Sequence, residues 1–145
     1  MSVPEQTMTD DERTSVALEY FKRLDRGENI FELFADDAQV YFPKWGLANG
    51  RAEFEKMFSD LGSILSAIRH DYAYFNYIVQ GDHVVVEGTS YGATADGVEW
   101  RAGATHAGRW CDVFEIRGFK IQRVFIYLDP DYASADTARY PWLNS

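Results

Sequence analysis

Residues 110–128, WCDVFEIRGFKIQRVFIYL, decide the fold class. Two β-rich runs, Trp110 to Ile116 and Lys120 to Leu128, meet at a tight Arg117-Gly118 turn, the pattern of an antiparallel hairpin. Far upstream, Val16, Leu18, Tyr20, Phe21 and Leu24 recur at helical spacing. They lead into Leu33-Phe34-Ala35-Asp36-Asp37-Ala38 and a short strand, Gln39 to Phe42, closed by Pro43. A helical start and a hairpin end describe a curved sheet covered by helices.

The intervening chain fills in that outline. Thr9 followed by Glu12 forms a capping box, in which hydroxyl and carboxylate satisfy each other's unpaired backbone donors, so a helix is expected from Asp10 to Arg26-Gly27. A basic residue and a glycine suit its C-terminus. Ile30 to Phe34 reads as a short second helix. A third is expected over Arg51 to Leu65, where Phe54, Met57, Phe58, Leu61 and Leu65 recur at spacings of three and four. From Arg69 the period becomes two. Tyr72 to Val79 reads as a strand, Gln80-Gly81-Asp82 as a turn before Val84-Val85-Val86, and Ala95-Asp96-Gly97 as the turn of a second hairpin. Three helices followed by antiparallel strands give an α+β arrangement. Residues 1–8 read as a disordered lead, and 130–145 as an irregular tail over the domain or a partner subunit.

Composition sets limits. A chain of 145 residues suits one domain spanning 1–145. With a net charge of −9 and no run of Lys or Arg longer than two, the surface repels polyanions, so no nucleic-acid partner is expected. The lone Cys111 cannot form an intrachain disulfide, no apolar run approaches the roughly 20 residues a membrane span needs, and the acidic start (Glu5, Asp10, Asp11, Glu12) is unlike a secretion signal. The expectation is a cytoplasmic protein without membrane contact. Aromatic residues, 16% of the chain, suit a core, a pocket or a subunit interface.

The order of elements, with Tyr20-Phe21-Lys22-Arg23-Leu24-Asp25-Arg26-Gly27-Glu28 and Leu33-Phe34-Ala35-Asp36-Asp37-Ala38-Gln39-Val40, resembles the nuclear transport factor 2-like superfamily over roughly residues 10–130. That group includes ketosteroid isomerases, scytalone dehydratases, SnoaL-like polyketide cyclases and limonene epoxide hydrolases. The resemblance implies a cystatin-like cone, three N-terminal helices packed on a strongly curved, mainly antiparallel sheet around a pocket. Tyr20 and Asp112 fall where ketosteroid isomerases carry their oxyanion-hole tyrosine and protonated aspartic acid. The general-base aspartate of those enzymes is replaced here by Phe42, which accepts no proton. Asp25 and His70 fall where scytalone dehydratases carry an aspartate near the end of helix 1 and a histidine opening the first long strand. Leu128-Asp129-Pro130-Asp131 is similar to the dehydratase sequence after the last strand, and a second catalytic histidine has no match in Val86 to Thr94.

The chemistry this implies is acid–base and needs no metal or organic cofactor. Asp25 would orient His70 and raise its basicity; His70 would take a proton alpha to a carbonyl and return one to a leaving hydroxyl. Tyr20 and a protonated Asp112 would stabilise the developing enolate. Each residue also has a purely structural reading. His70, before Asp71, suits a hydrogen-bonded edge histidine; Asp25 could pair with Arg69; Tyr20 could be core; Asp112, an acid between Trp110 and Phe114 on one strand face, could pair with Arg109 or Arg123. His106 shares parity with Asp112 and is placed at the cavity mouth, whereas His83 is placed in a solvated turn.

Two motifs are set aside. Gly88-Thr89-Ser90-Tyr91-Gly92 matches a nucleophile elbow in letters, but more strand follows instead of a helix. Asp10-Asp11 and Asp36-Asp37 lack the ligand spacing of a calcium loop, and the three histidines lack zinc spacing, so no metal is expected. The expected cavity is lined by Trp45, Phe58, Leu61, Tyr91, Trp110, Phe114 and Leu128, for a hydrophobic ring-containing ligand. A homodimer is expected through an outer sheet face carrying Val84, Val86, Phe125 and Tyr127. The function expected is a lyase or isomerase acting on a polyketide-like, steroid-like or aromatic molecule. Alternatives are a non-catalytic binding or assembly module and an epoxide hydrolase, the latter needing an Asp-Arg-Asp cluster of which Arg109 and Asp112 supply only part.

Overall fold

Helix α1 (Asp10–Arg26) opens a computed structural model that describes residues 7–143. Its capping box forms as the sequence implies: the Thr9 side chain accepts from the Glu12 amide, and the Glu12 carboxylate accepts from the Thr9 amide. It ends on Gly27, whose φ of 69° is the left-handed conformation that a glycine C-cap adopts without strain. Helix α2 (Arg51–Ile64) buries Phe54 and Met57. The expected second helix is instead a single 3-10 turn, Phe31–Leu33, because the chain enters strand β1 (Phe34–Phe42) immediately after it. Among the described residues two α-helices, not three, cover the sheet.

Seven further strands follow: β2 (Gly46–Asn49), β3 (Leu65–His70), β4 (Asn76–Gln80), β5 (His83–Thr94), β6 (Glu99–Arg101), β7 (Arg109–Arg117) and β8 (Lys120–Leu128). The main path runs β2-β1-β8-β7-β5-β3, with β4 and β6 also paired to β5. Among these strands every pairing is antiparallel except β1 with β8, which sets the first long strand beside the last. β5 organises the curvature. Its first part, His83 to Thr89, pairs with β7, and its second, Ser90 to Thr94, pairs with β3. At Gly88 a Cβ would lie 2.8 Å from the Trp110 ring and 2.9 Å from the Phe75 ring; at Gly92 it would lie 2.1 Å from the Ala67 carbonyl oxygen. Missing side chains at these two points let rings and a neighbouring strand close onto the inner face of the bend.

Several expectations need correction. Leu65, expected to end the third helix, instead opens a strand that runs to His70, so His70 closes β3 and does not open a long strand. Tyr72–Tyr74 forms a 3-10 turn, and β4 begins only at Asn76. The final hairpin turns at Gly118-Phe119, one residue later than read, both with positive φ. Val84 and Val86 face the core beside Phe114 and Asp112 and are fully buried, so the outer face is carried by other side chains. Of the expected disordered lead, residues 1–6 lie outside the described residues, while Met8 is buried in the core. In the tail, Tyr132 is buried and its ring packs on Trp100, 4.8 Å between centroids.

A two-ended candidate active site

The inner face of the sheet and the two helices enclose a cavity of about 660 Å³. One end is built where α1 meets β3. Asp25 lies in the last turn of α1, where the helix dipole disfavours an acid, and it is nevertheless 8% exposed. Three donors converge on its carboxylate. His70 Nδ1 lies 2.6 Å from Oδ1, the His70 backbone amide donates to Oδ2 at 2.9 Å, and the Tyr72 hydroxyl also donates to Oδ2. Burial pushes the Asp25 carboxyl upward, but the hydrogen bond and charge of His70, the Tyr72 hydroxyl and the His70 amide together outweigh it and hold the carboxyl below its ordinary value. An anionic Asp25 accepting at Oδ1 fixes a proton on Nδ1, so that in the neutral ring the lone pair lies on Nε2. Among the described residues nothing bonds Nε2. The imidazole is wedged between Phe21 and Trp110, at 5.0 and 5.4 Å between ring centroids. Arg69 spends its guanidinium on the carbonyls of Asp25 and Ile68, at 2.7 and 2.8 Å, so it caps the helix and leaves the carboxylate to His70.

The other end is built on β7. Trp110, Asp112 and Phe114 alternate onto the inner face. Asp112 is 3% exposed, and its Oδ1 has no hydrogen-bond partner among the described residues; neither Arg109 nor Arg123 pairs with it. Burial alone drives this carboxyl well above its ordinary value, which favours the protonated form. The indole Nε1 of Trp110 is likewise buried and unpartnered. Tyr20 and Tyr132 complete this end. Both phenols are raised first by burial and then by the proximity of Asp112.

All four residues expected to be catalytic line this cavity: Tyr20, Asp25, His70 and Asp112. Phe58, Leu61, Trp110 and Leu128 line it as well, and three expected lining residues do not. Phe114 is fully buried beneath the cavity against Tyr20 and Phe21, Tyr91 lies under the Arg101 guanidinium, and the Trp45 indole donates to Asp60 at 2.9 Å. His106 is exposed and outside the lining; His83 is exposed and opens β5. Ser90 lies mid-strand in β5, as required for dismissing a nucleophile elbow. Tyr72 and Tyr132 were missed, the first within a presumed strand and the second in an aperiodic tail. Among the described residues, no group of three or more His, Cys, Asp or Glu side chains could hold a metal ion, and no helix is long and apolar enough to cross a membrane.

A family model for the SnoaL-like domain matches residues 17–124. The chain belongs to this family. That match runs from within α1 to the middle of β8 and includes Tyr20, Asp25, His70 and Asp112. Solved structures agree on the nuclear transport factor 2-like, cystatin-like fold of this SnoaL-like domain. An NTF2-like protein from Anabaena variabilis is 21% identical, with 88% of this chain and 97% of that one covered and a TM-score of 0.69. A putative polyketide cyclase from Xanthomonas campestris pv. campestris is 17% identical, with coverages of 82% and 91% and a TM-score of 0.69. TerC, co-crystallised with polyporic acid, is 17% identical, with coverages of 92% and 99% and a TM-score of 0.68. Among curated proteins none matches the chain.

Proposed function

We propose that this SnoaL-like domain is an acid–base lyase or isomerase of the dehydratase or cyclase kind, acting on a hydrophobic, ring-containing small molecule that carries a carbonyl. One observation supports this reading above the rest: two buried carboxyls in a single cavity, one held anionic beside an imidazole, the other favoured as the acid. His70 Nε2 takes a proton from the carbon alpha to the carbonyl. The electron pair moves onto the carbonyl oxygen, where the Asp112 carboxyl and the Tyr20 phenol are hydrogen-bond donors for the resulting enolate. In a dehydration, the pair returns to form the carbon–carbon double bond, and the imidazolium gives its proton to the departing β-hydroxyl. In an isomerisation, the same proton is returned to another carbon. Each route begins and ends with His70 neutral, so the cycle closes within these residues. A putative polyketide cyclase and a protein co-crystallised with polyporic acid, both of this fold, support a ring-containing ligand.

The outer face of the sheet supports self-association. Ile78, Tyr127 and Leu47 are 56%, 49% and 43% exposed, and Tyr41 stacks between Phe125 and Tyr127, a broad apolar surface suited to a second copy of the chain.

The test is a panel of cyclic ketones and β-hydroxy ketones incubated with the protein in D2O. Deuterium uptake alpha to the carbonyl, or loss of water, is followed by NMR and mass spectrometry. Exchange that disappears in His70→Ala supports the proposal. Ligands that raise the melting temperature of both proteins but emerge unexchanged and intact would replace it with a binding role.

A further inference from the structure

The Asp25–His70 pair has a third member that the proposed chemistry does not use. Tyr72 follows His70 by two residues, beyond the end of β3, in the 3-10 turn Tyr72–Tyr74. That turn is clamped from both sides. The Asp71 amide donates to the Thr89 carbonyl at 3.0 Å, and the Thr89 hydroxyl donates to the Asp71 carboxylate at 2.8 Å, fixing the turn to β5. The Tyr72 ring meets Phe75 edge-on at 5.5 Å, and Phe75 in turn packs against Trp110 and the His70 ring. The phenol is thereby delivered to Asp25 Oδ2, while the imidazole meets Oδ1.

This placement fixes the plane of the Asp25 carboxylate. A carboxylate can rotate about its bond to Cβ, and the His70 backbone amide alone does not hold one oxygen toward the ring. A second donor on Oδ2 occupies that oxygen fully and leaves Oδ1 for Nδ1–H. Burial and the Asp25 charge both raise the Tyr72 phenol, so it keeps its proton across the working range and donates it to the Asp25 carboxylate in a hydrogen bond. The charged groups around the phenol are Asp25 and Arg26 on α1 and Arg69 on β3, and the Arg69 guanidinium is engaged by backbone carbonyls.

We infer that Tyr72 is a positioning residue: its hydroxyl clamps Asp25 as an anion in the one orientation that leaves His70 Nε2 available as the base. This inference extends the proposed acid–base role, and its test does not depend on turnover. In Tyr72→Phe the ring contact with Phe75 is retained and only the donor is lost. The carboxyl carbon of Asp25 is titrated by 13C NMR in both proteins, and the His70 ring nitrogens are followed by 15N NMR. A hydrogen bond to a charged group corresponds to about one to two pH units, so the Asp25 midpoint is expected to rise by about that amount, with His70 losing its single tautomer. Thr89→Val, which loosens the turn without touching the phenol, should give a smaller shift in the same direction. Where a turnover assay exists, Tyr72→Phe should lower kcat with KM unchanged and move the acid limb of the pH profile upward. An unchanged Asp25 midpoint with an unchanged His70 tautomer in a folded Tyr72→Phe overturns the inference. Absence of any exchange activity in the wild type, with the midpoint shift present, overturns the catalytic reading alone.

Discussion

The two carboxyls of the cavity, Asp25 and Asp112, share burial and differ in everything else. Asp25 sits in the last turn of a helix yet receives three donors; Asp112 sits mid-strand on the inner face of the sheet, and its Oδ1 receives none. Burial raises both, and only where donors converge does the anion prevail. The partners around each acid set its charge, and one cavity therefore favours an anionic carboxylate and a protonated carboxyl side by side.

The largest effect expected is on chemistry. Replacing His70 with Ala should lower proton exchange by about 10² to 10⁴-fold, the usual range for a general base, and leave the Asp112 end unchanged; near-wild-type exchange would dissolve the contrast. Next comes stability at the Asp112 end. Its folded-state pKa lies above the unfolded one, so its contribution is fully present below the unfolded value of about 3.9 and is lost as pH rises through the folded value. Asp112→Asn should therefore melt several degrees higher than wild type at pH 8, and the gap should close toward pH 4. A pH-independent gap would mean that Asp112 is not the unpaired acid described. The Asp25 end should give the opposite and smaller dependence. Its folded-state pKa lies below the unfolded one, so Asp25 stabilises above about pH 4 and loses that contribution as pH falls. Asp25→Asn should be destabilised at pH 7 and converge on wild type in acid melts. The smallest effect on either carboxyl is expected from Tyr127→Glu on the outer face. It should convert a dimer to a monomer by light scattering while leaving both titrations in place.

Legibility followed local chemistry. α1 could be read because a capping box, a helical stripe and a glycine C-cap all lie within its own residues. The β7–β8 hairpin and the inward parity of Trp110 and Asp112 could be read because alternation there is sharp. β3 could not. It follows α2 with no glycine or proline between, and Ser66, Ala67 and Arg69 give it an exposed, weakly alternating pattern set by pairing with β5. The inward facing of Val84 and Val86 depends on register with β7, a fact about two strands that no single run of three valines contains. In the site, Asp25 and His70 came from resemblance, whereas Asp112 announced itself as an acid on an apolar face. Tyr72 carried no such signal: its phenol finds Asp25 across 47 residues of sequence.

The parallel pairing of β1 with β8 also has a consequence in time. β8 lies between β1 and β7, so the sheet stays in two pieces until the last strand slides between them. A chain emerging from the ribosome can form α1, β1 and β2 early, but their edge finds its neighbour only after about residue 128 has left the exit tunnel. The contacts that close the cone are among the most distant in sequence, and such contacts fold slowly. Until then the inner face of β1, with Phe34, Val40 and Phe42, stays uncovered on its β8 side. β8 thus acts as the latch of assembly, and slowing translation before it has emerged would lengthen the interval in which this chain is most prone to aggregate.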